Sequence, residues 1–388
     1  MSNSADSADG GAGLLERVRE VVPLIAARAA EAEAQRKPAD DVIDALKRTG
    51  VFRSFVPKQY GGYEIDLDLF VDIGVAVSEA CPSTGWITTF YMEHNWLLGL
   101  FDDGLRHEIF TAQPFILAPG TVNPSGEAAR RDGGFELSGQ WQYGTGVVHA
   151  DWVILSGMVP GEEAPMSRMF LVPVGEVEVK DTWHVDGMAA TGSRDIVARS
   201  VFVPERRVSH TPPPTWMLAR DEPYLRRIPM LPFLALTAAI PSLGCARRSV
   251  ELFRQRMTER ILFGTTKRQA ETASAQIRLA NLVVRTAIAE DVMRTAARDM
   301  AAHARGETQL SLLDHLQLRV TIAHVVRMCR DIVRDVMEAS GAGAHFLDNE
   351  LQRIHRDMHM ISAHTVFDVD AAALHFGREL LRDEQHGH

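Results

Sequence analysis

Phe135-Glu136-Leu137-Ser138-Gly139-Gln140-Trp141-Gln142-Tyr143-Gly144-Thr145-Gly146, resuming three residues later at Ala150-Asp151-Trp152, is the stretch on which the reading of the fold turns. Apolar and polar side chains alternate at its start and glycines punctuate it, the pattern of a strand half-buried on a sheet. Trp152-Val153-Ile154-Leu155 and Met169-Phe170-Leu171-Val172-Pro173 repeat that texture, so a β domain is expected over 115–212. On either side the apolar period changes from two to three and four. Upstream, Leu15, Val18, Val22 and Ile25 share one helical face, and Val42, Ile43 and Leu46 lead into Gly50 as into a C-cap. Two further helical stretches follow, near 69–80 and 84–112, making an N-terminal helical domain over 14–114. Downstream of Pro212-Pro213-Pro214, helical periodicity holds from Leu234 onward, with interruptions at Phe263-Gly264, Gly306 and Gly341-Ala342-Gly343. Those breaks predict a four-helix antiparallel bundle over 213–388. In its second helix Ile277, Ala280, Val284, Ala287, Ile288 and Val292 line one face, which reads as core. Residues 1–13 offer almost nothing to bury and read as a disordered tail.

The 388 residues carry 46% hydrophobic side chains, enough for more than one core, and the class expected is mainly α with a central β domain. No run reaches the roughly 18 consecutive apolar residues of a membrane span, and the N-terminus lacks the pattern of a signal peptide. A cytoplasmic protein with no membrane partner is therefore expected. Cys81, Cys245 and Cys329 are scattered, which fits a reducing compartment and argues against a zinc site. A formal charge of −10 disfavours nucleic acid, while Arg226-Arg227 and Arg247-Arg248 are basic pairs suited at most to a small anion such as phosphate. His355 and His359 stand at i,i+4, but no Glu follows His355 and no cysteine is near, so no metal is expected.

Four segments in order resemble the acyl-CoA dehydrogenase superfamily. Pro57-Lys58-Gln59-Tyr60-Gly61-Gly62 is similar to its P-x-x-Y-G-G turn, and the opening stretch through Thr145 and Trp152 is similar to its W-I-T-N strand and later A-x-W. Trp183 to Ser193, continuing to Val201-Phe202-Val203-Pro204, resembles the strand pair with a G-x-R-G-S turn and V-x-V-P exit. Arg260-Ile261-Leu262-Phe263-Gly264 resembles R-x-Q-F-G. The resemblance spans nearly the whole chain after the tail. It implies an acyl-CoA dehydrogenase-like fold, a homotetramer, and a flavin between β domain and bundle that a neighbouring subunit also touches.

The departures narrow the reading. A dehydrogenase of this superfamily takes a proton alpha to a thioester with a carboxylate, commonly a late Glu, because loss of hydride to flavin needs a base within reach. Counting from Arg356-Asp357, that place holds Thr365, within Ser362-Ala363-His364-Thr365-Val366. Ser83-Thr84-Gly85-Trp86 followed by His94, then Thr145, then His364, is instead similar to the flavin monooxygenase branch, which includes 4-hydroxyphenylacetate and secosteroid hydroxylases and the dibenzothiophene and indole-3-acetate monooxygenases.

That resemblance implies an oxygenase component that receives reduced FMN or FAD from a separate flavin reductase and uses O2, through a flavin C4a-(hydro)peroxide, to hydroxylate a small phenolic or indole-type aromatic substrate. No G-x-G-x-x-G follows a strand, in keeping with a separate reductase. In this reading Thr145 accepts the flavin N5–H, His94 and His364 face the substrate, one binding or deprotonating it and the other hydrogen-bonding the peroxide, and Asp368 orients His364 as an i,i+4 partner. Trp86 and Phe90, together with Trp141 and Trp183, offer faces for stacking. Arg260 would hold flavin phosphate, with Gly146, Ser193, Phe263, Lys267 and the Gly341-Ala342-Gly343 turn, Gly343 included, as further flavin contacts. Two alternatives stand beside this one: a dehydrogenase whose base is displaced to Glu251 or Glu259, and a non-catalytic scaffold protein.

Overall fold

A computed structural model describes residues 11, 13–159, 166–210 and 214–386; the expected tail and Pro212-Pro213 lie largely outside the described residues. The chain divides into two compact units. The first holds residues up to 66 with 87–185 and 189–227, and the second holds 67–86, 186–188 and 228 onward.

In the first unit, helix α1 (Leu14–Gln35) precedes α2 (Asp40–Thr49), and α2 stops at Gly50, whose φ of 82° gives the left-handed cap the sequence asked for. The β domain is one six-stranded sheet: β1 (Gly120–Arg131), β2 (Gly134–Gly144), β3 (Trp152–Val159), β4 (Met166–Pro173), β5 (Glu178–Lys180) and β6 (Arg194–Pro204). Its order is β4-β3-β1-β2-β6-β5, with β1 and β3 parallel and every other neighbouring pair antiparallel. Phe135, Leu137 and Trp141 of β2 are buried with Val153, Leu155, Phe170 and Ile196. Trp141 lies flat across β1 because Gly126 has no side chain there, and its indole N–H donates to the Ser156 carbonyl at 2.7 Å. It is a core residue, not the stacking platform expected.

The expected helix over 84–112 is two. Helix α4 (Pro82–Leu97), which starts in the second unit and ends in the first, gives way to a short turn, and α5 (Asp103–Ala112) restarts with the Asp102 carboxylate accepting from Gly104 N and Leu105 N. A side-chain cap of that kind favours a new helix over continuing the old one.

The second unit is helical: α3 (Leu67–Ala80), the first turn of α4, then α7 (Met230–Glu259), α8 (Ala273–Ala304), α9 (Leu312–Ser340), α10 (Glu350–Ser362) and α11 (Val369–His386), while the short α6 (Tyr224–Arg227) belongs to the first unit. The last of the four expected helices is thus divided. Between α10 and α11 His364 Nδ1 accepts from Val366 N, and Asp368 accepts from Ala371 N at 3.0 Å; these local bonds replace a continuous helical ladder. Among the described residues α7 alone is long and apolar enough to cross a bilayer, and 78% of its apolar window is buried within the protein.

Helix α8 corrects the reading of its apolar face. Its buried face is Leu282, Thr286, Ala289, Met293, Ala296 and Met300, whereas Ile277 (63%), Val284 (57%) and Ile288 (46%) stand exposed, with Ala280 and Ala287 beside them. An apolar stripe at three- and four-residue spacing is therefore left on the surface of the chain.

Closest packing in this unit falls on Ser78 of α3. A Cβ at Gly244 would stand 2.9 Å from the Ser78 backbone, and one at Gly85 would stand 2.8 Å from Ser78 Cα, so both glycines are required by the approach of α7 and α4 to α3. Gly244→Ala is expected to cost about 1–3 kcal/mol through overpacking, read as a lower midpoint in urea unfolding, with the fold otherwise retained.

Candidate active site

The distal part of α4 carries one cluster. Trp86, Phe90 and His94 follow at four-residue steps and so share a face of this helix. His94 is only 3% exposed, and its ring meets Phe90 edge-on at 5.4 Å. Its Nδ1 lies 2.6 Å from the Ala118 carbonyl oxygen, an acceptor only, so Nδ1 carries the hydrogen and Nε2 the lone pair of the neutral ring. Asn95 clamps the same helix to the 116–118 segment, donating to the Ile116 carbonyl at 3.0 Å and accepting from Ile116 N at 2.9 Å. Gly120 leaves room for the imidazole, since a Cβ there would stand 2.8 Å from Nε2. Burial, partly offset by the Ala118 bond, lowers the His94 pKa to about 4. Glu93 is wholly buried beside it, with Oε2 at 3.3 Å from His94 Nε2.

Where β2 ends, Thr145, Gly146 and Ser193 come together. Ser193 Oγ donates to Thr145 Oγ1 at 3.4 Å and lies 2.8 Å from Thr191 Oγ1, while Gly146 N donates to the Thr191 carbonyl at 3.1 Å. The Tyr91 hydroxyl of α4, fully buried, donates to the Gly146 carbonyl at 2.5 Å and fixes this turn from below. Gly146 adopts φ 72° and Tyr143 φ 64°, a backbone conformation that L residues rarely hold and that is stabilised here by the surrounding bonds. The Tyr143 ring packs edge-on against Trp183 at 6.0 Å.

The second unit carries two more clusters. The His364 ring packs edge-on against Trp86 at 5.5 Å and faces Phe367 at 6.0 Å. By area His364 is exposed, yet protein atoms crowd it closely enough to lower its affinity for a proton. At the end of α9, Arg260 donates to the carbonyls of Ala339 and Ser340, and Arg256 Nε donates to Ser340 at 3.0 Å. The two guanidiniums lie against Gly341 and Gly343, where a Cβ would stand 2.6 Å from Arg260 Nη2 and 2.8 Å from Arg256 Nη2. No ion pair to a carboxylate is found for either among the described residues. Desolvation first and the neighbouring Arg260 second lower the Arg256 pKa.

Other expectations are corrected. Asp368 caps α11 and does not orient His364, because the chain between them is a turn and the i,i+4 relation of a helix is absent. Phe263 and Lys267 sit on an exposed hairpin held by the Leu262 N to Lys267 carbonyl bond, and Phe263 is fully exposed, so neither meets another candidate within the chain. The basic pairs do not await phosphate: Arg226 pairs with Glu222, Arg227 is buried on the carbonyls of Leu218 and Ala219, Arg247 pairs with Glu79 and Glu290, and Arg248 with Glu350. Tyr91, Glu93, Asn95 and Arg256 escaped the sequence reading. For Glu93 a signal existed, as it is the one Asp, Glu, Lys or Arg between Cys81 and Phe101.

A family model described as acyl-CoA dehydrogenase, C-terminal domain, matches residues 236–369. A pigment production hydroxylase of a Rhodococcus species is 33% identical over 373 residues, covering 94% of this chain and 95% of that protein. The oxygenase component of p-hydroxyphenylacetate 3-hydroxylase from Acinetobacter baumannii is 28% identical, covering 96% and 89%. Among solved structures, XiaF from a Streptomyces species, in complex with FADH2 and glycerol, superposes with a TM-score of 0.90 at 28% identity and 97% coverage of both chains.

The state of His94 gives a pH signature. Its folded value of about 4 lies below the ordinary 6.5, so above pH 6.5 its neutral form prevails folded or unfolded and it has no effect. Between those values the unfolded chain binds a proton that the folded one cannot, and stability falls as pH falls. The decline in unfolding temperature from neutral pH towards pH 5 should be shallower in His94→Asn than in the wild type.

Proposed function

Since the chain belongs to the flavin-dependent monooxygenase branch of the acyl-CoA dehydrogenase superfamily, we propose that it is the oxygenase component of a two-component system, hydroxylating a small aromatic substrate with dioxygen and with reduced flavin supplied by a separate reductase. The observation that carries this reading is the turn at 364–367: where a dehydrogenase would set its carboxylate stands Thr365, and the imidazole of His364 packs on Trp86. The displaced-base alternative finds little support. Glu251 accepts from Arg254 and Gln255, which hold its pKa below the ordinary range, and Glu259 is exposed at the end of α7.

The residues fit a flavin. The partly exposed Thr145 and the Ser193 hydroxyl present hydrogen-bonding groups on a turn that Tyr91 keeps rigid, and these would hold the flavin ring system. Arg256 and Arg260, drawn together over two glycines with no carboxylate bound to either among the described residues, would hold a flavin phosphate. FMN and FAD both satisfy that donor set. When bound, the reduced flavin supplies the two electrons and activates dioxygen. The chain's own task is to orient the aromatic ring, exclude water and manage protons. Trp86 and Phe90 offer flat apolar surface for a phenolic or indole-type ring, His94 Nε2 is a neutral nitrogen able to take up a proton and then pass it on, and His364 is a second imidazole.

The exposed apolar stripe of α8, together with exposed Phe263, Phe346 and Leu347, supports assembly as a homotetramer, with Phe263 and Lys267 serving a neighbouring copy. Three buried free cysteines support a cytoplasmic setting.

The first test mixes the protein with reduced FMN or FADH2 without oxygen, then adds oxygen with no substrate and follows flavin absorbance. Reoxidation slowed well below that of free flavin, and quickened in Thr145→Ala, is the expected result; reoxidation as fast as free flavin, with reduction of bound flavin by an acyl-CoA, would overturn the reading. With substrate present, His364→Asn should lower hydroxylated product per flavin by roughly 10²-fold, the scale of a lost acid–base group. For the assembly, light scattering of a Val284→Asp, Ile288→Asp double variant should give a smaller particle than the four-chain wild type.

A further inference from the structure

Glu93 is a carboxyl with no place in the roles assigned so far. It is fully buried, and neither oxygen makes a hydrogen bond among the described residues. Its near polar neighbour is His94, whose Nε2 stands 3.3 Å from Oε2. An isolated carboxylate in such a place is costly, and a buried acid kept there needs a reason outside stability. Because Nδ1 of His94 is committed to the Ala118 carbonyl, Nε2 holds the ring's lone pair, and a carboxylic acid is the partner that can donate to it.

We propose that Glu93 is the proton partner of His94: the buried carboxyl keeps an exchangeable proton within 3.3 Å of Nε2, and the reaction draws that proton out through His94. This rests on the reading of His94 as an acid–base group of the hydroxylation. Converting an aromatic C–H to C–OH with dioxygen and the monoanion of a reduced flavin yields water and oxidised flavin and consumes one proton. In the relay the O–H bond of Glu93 breaks as a bond from Nε2 to hydrogen forms, and Nε2 then gives the proton to an anionic oxygen of the bound reactants. Glu93 is left as a carboxylate and regains a proton from solvent before the next turnover. Glu93 is thus a positioning residue, acting through His94.

The surroundings favour this arrangement. Burial alone raises the carboxyl well above its ordinary range, and burial with the Ala118 bond sets the imidazole, so no third charge perturbs the pair. Tyr91, on the same helix, and Asp151, whose carboxylate accepts from Leu117 N, are titratable groups of the packed segments, and neither shifts Glu93 or His94. Gly120 leaves the imidazole its place, since any side chain there would press on Nε2.

The test uses Glu93→Gln, which keeps the shape but has no acid proton, and Glu93→Leu, which removes the polar group. On the protein as purified, the infrared difference between wild type and Glu93→Gln should show the carbonyl stretch of a protonated carboxyl. An acid whose folded pKa is raised loses stability as pH climbs past its unfolded value, so both variants should match the wild type in acid and unfold at higher temperature than it does at alkaline pH. Product per flavin oxidised should fall at least tenfold in both, with the alkaline limb of the pH profile displaced. Should neither variant fold, an infrared titration of wild type from about pH 5 to about pH 9 decides the matter, the protonated band persisting where an ordinary carboxyl would have ionised. No protonated band, or unchanged yield and pH profile in both variants, overturns the proposal. Full product yield in His94→Asn would sink the reading of His94 itself, whereas loss there with none in the Glu93 variants sinks only the role of Glu93.

Discussion

Helix α4 is enclosed on nearly every face: of its residues Phe90 alone is more than marginally accessible. A helix buried all round is normally apolar all round, yet this one carries Ser83, Thr84, Thr88, Thr89, Glu93, His94 and Asn95. With water excluded, each polar group must be met by protein or left costly. Asn95 and His94 therefore bind the 116–118 segment, and Tyr91 binds the Gly146 carbonyl. The route of the chain into β1 and the turn bearing Thr145 are both fixed by demands that originate on this helix.

The same constraint explains what the sequence could reveal. Periodicity of two around Phe135–Trp141 and the Gly50 cap are local properties, and both appear where they were read. The register of Thr145, Gly146 and Ser193 was legible through motif resemblance, because the end of β2 and the start of β6, paired at Gly144 and Arg194, place all three. Periodicity alone could not say which apolar face of α8 turns inward. Leu282, Ala289 and Met293 recur as regularly as Ile277, Val284 and Ile288, and the choice between two apolar stripes is made by neighbours distant in sequence.

Asp368 shows the opposite failure. Its spacing from His364 suited an ion pair on a continuous helix, but both side chains instead bond to nearby backbone N–H groups, and those bonds end one helix and begin another. Short polar side chains at four-residue spacing are as compatible with a capped break as with a paired helix. Arg256 was missed for a related reason, since its partner is a backbone carbonyl at the end of α9, and a carbonyl leaves no mark in the sequence.

His94 and Glu93 are biased towards their uncharged forms rather than paired as ions. Burial lowers the pKa of His94 to about 4 and raises that of Glu93 well above its ordinary range, so each is displaced towards its neutral form. A surface ion pair would be screened and already committed. A neutral, dry pair keeps its response for the moment when negative charge develops beside it, and in a water-poor setting that response is stronger. An oxygenase has to prevent stray protons and water from reaching a reactive centre while still supplying a proton at one step. A proton stored on a buried carboxyl and released only through an imidazole meets both demands with the same residues.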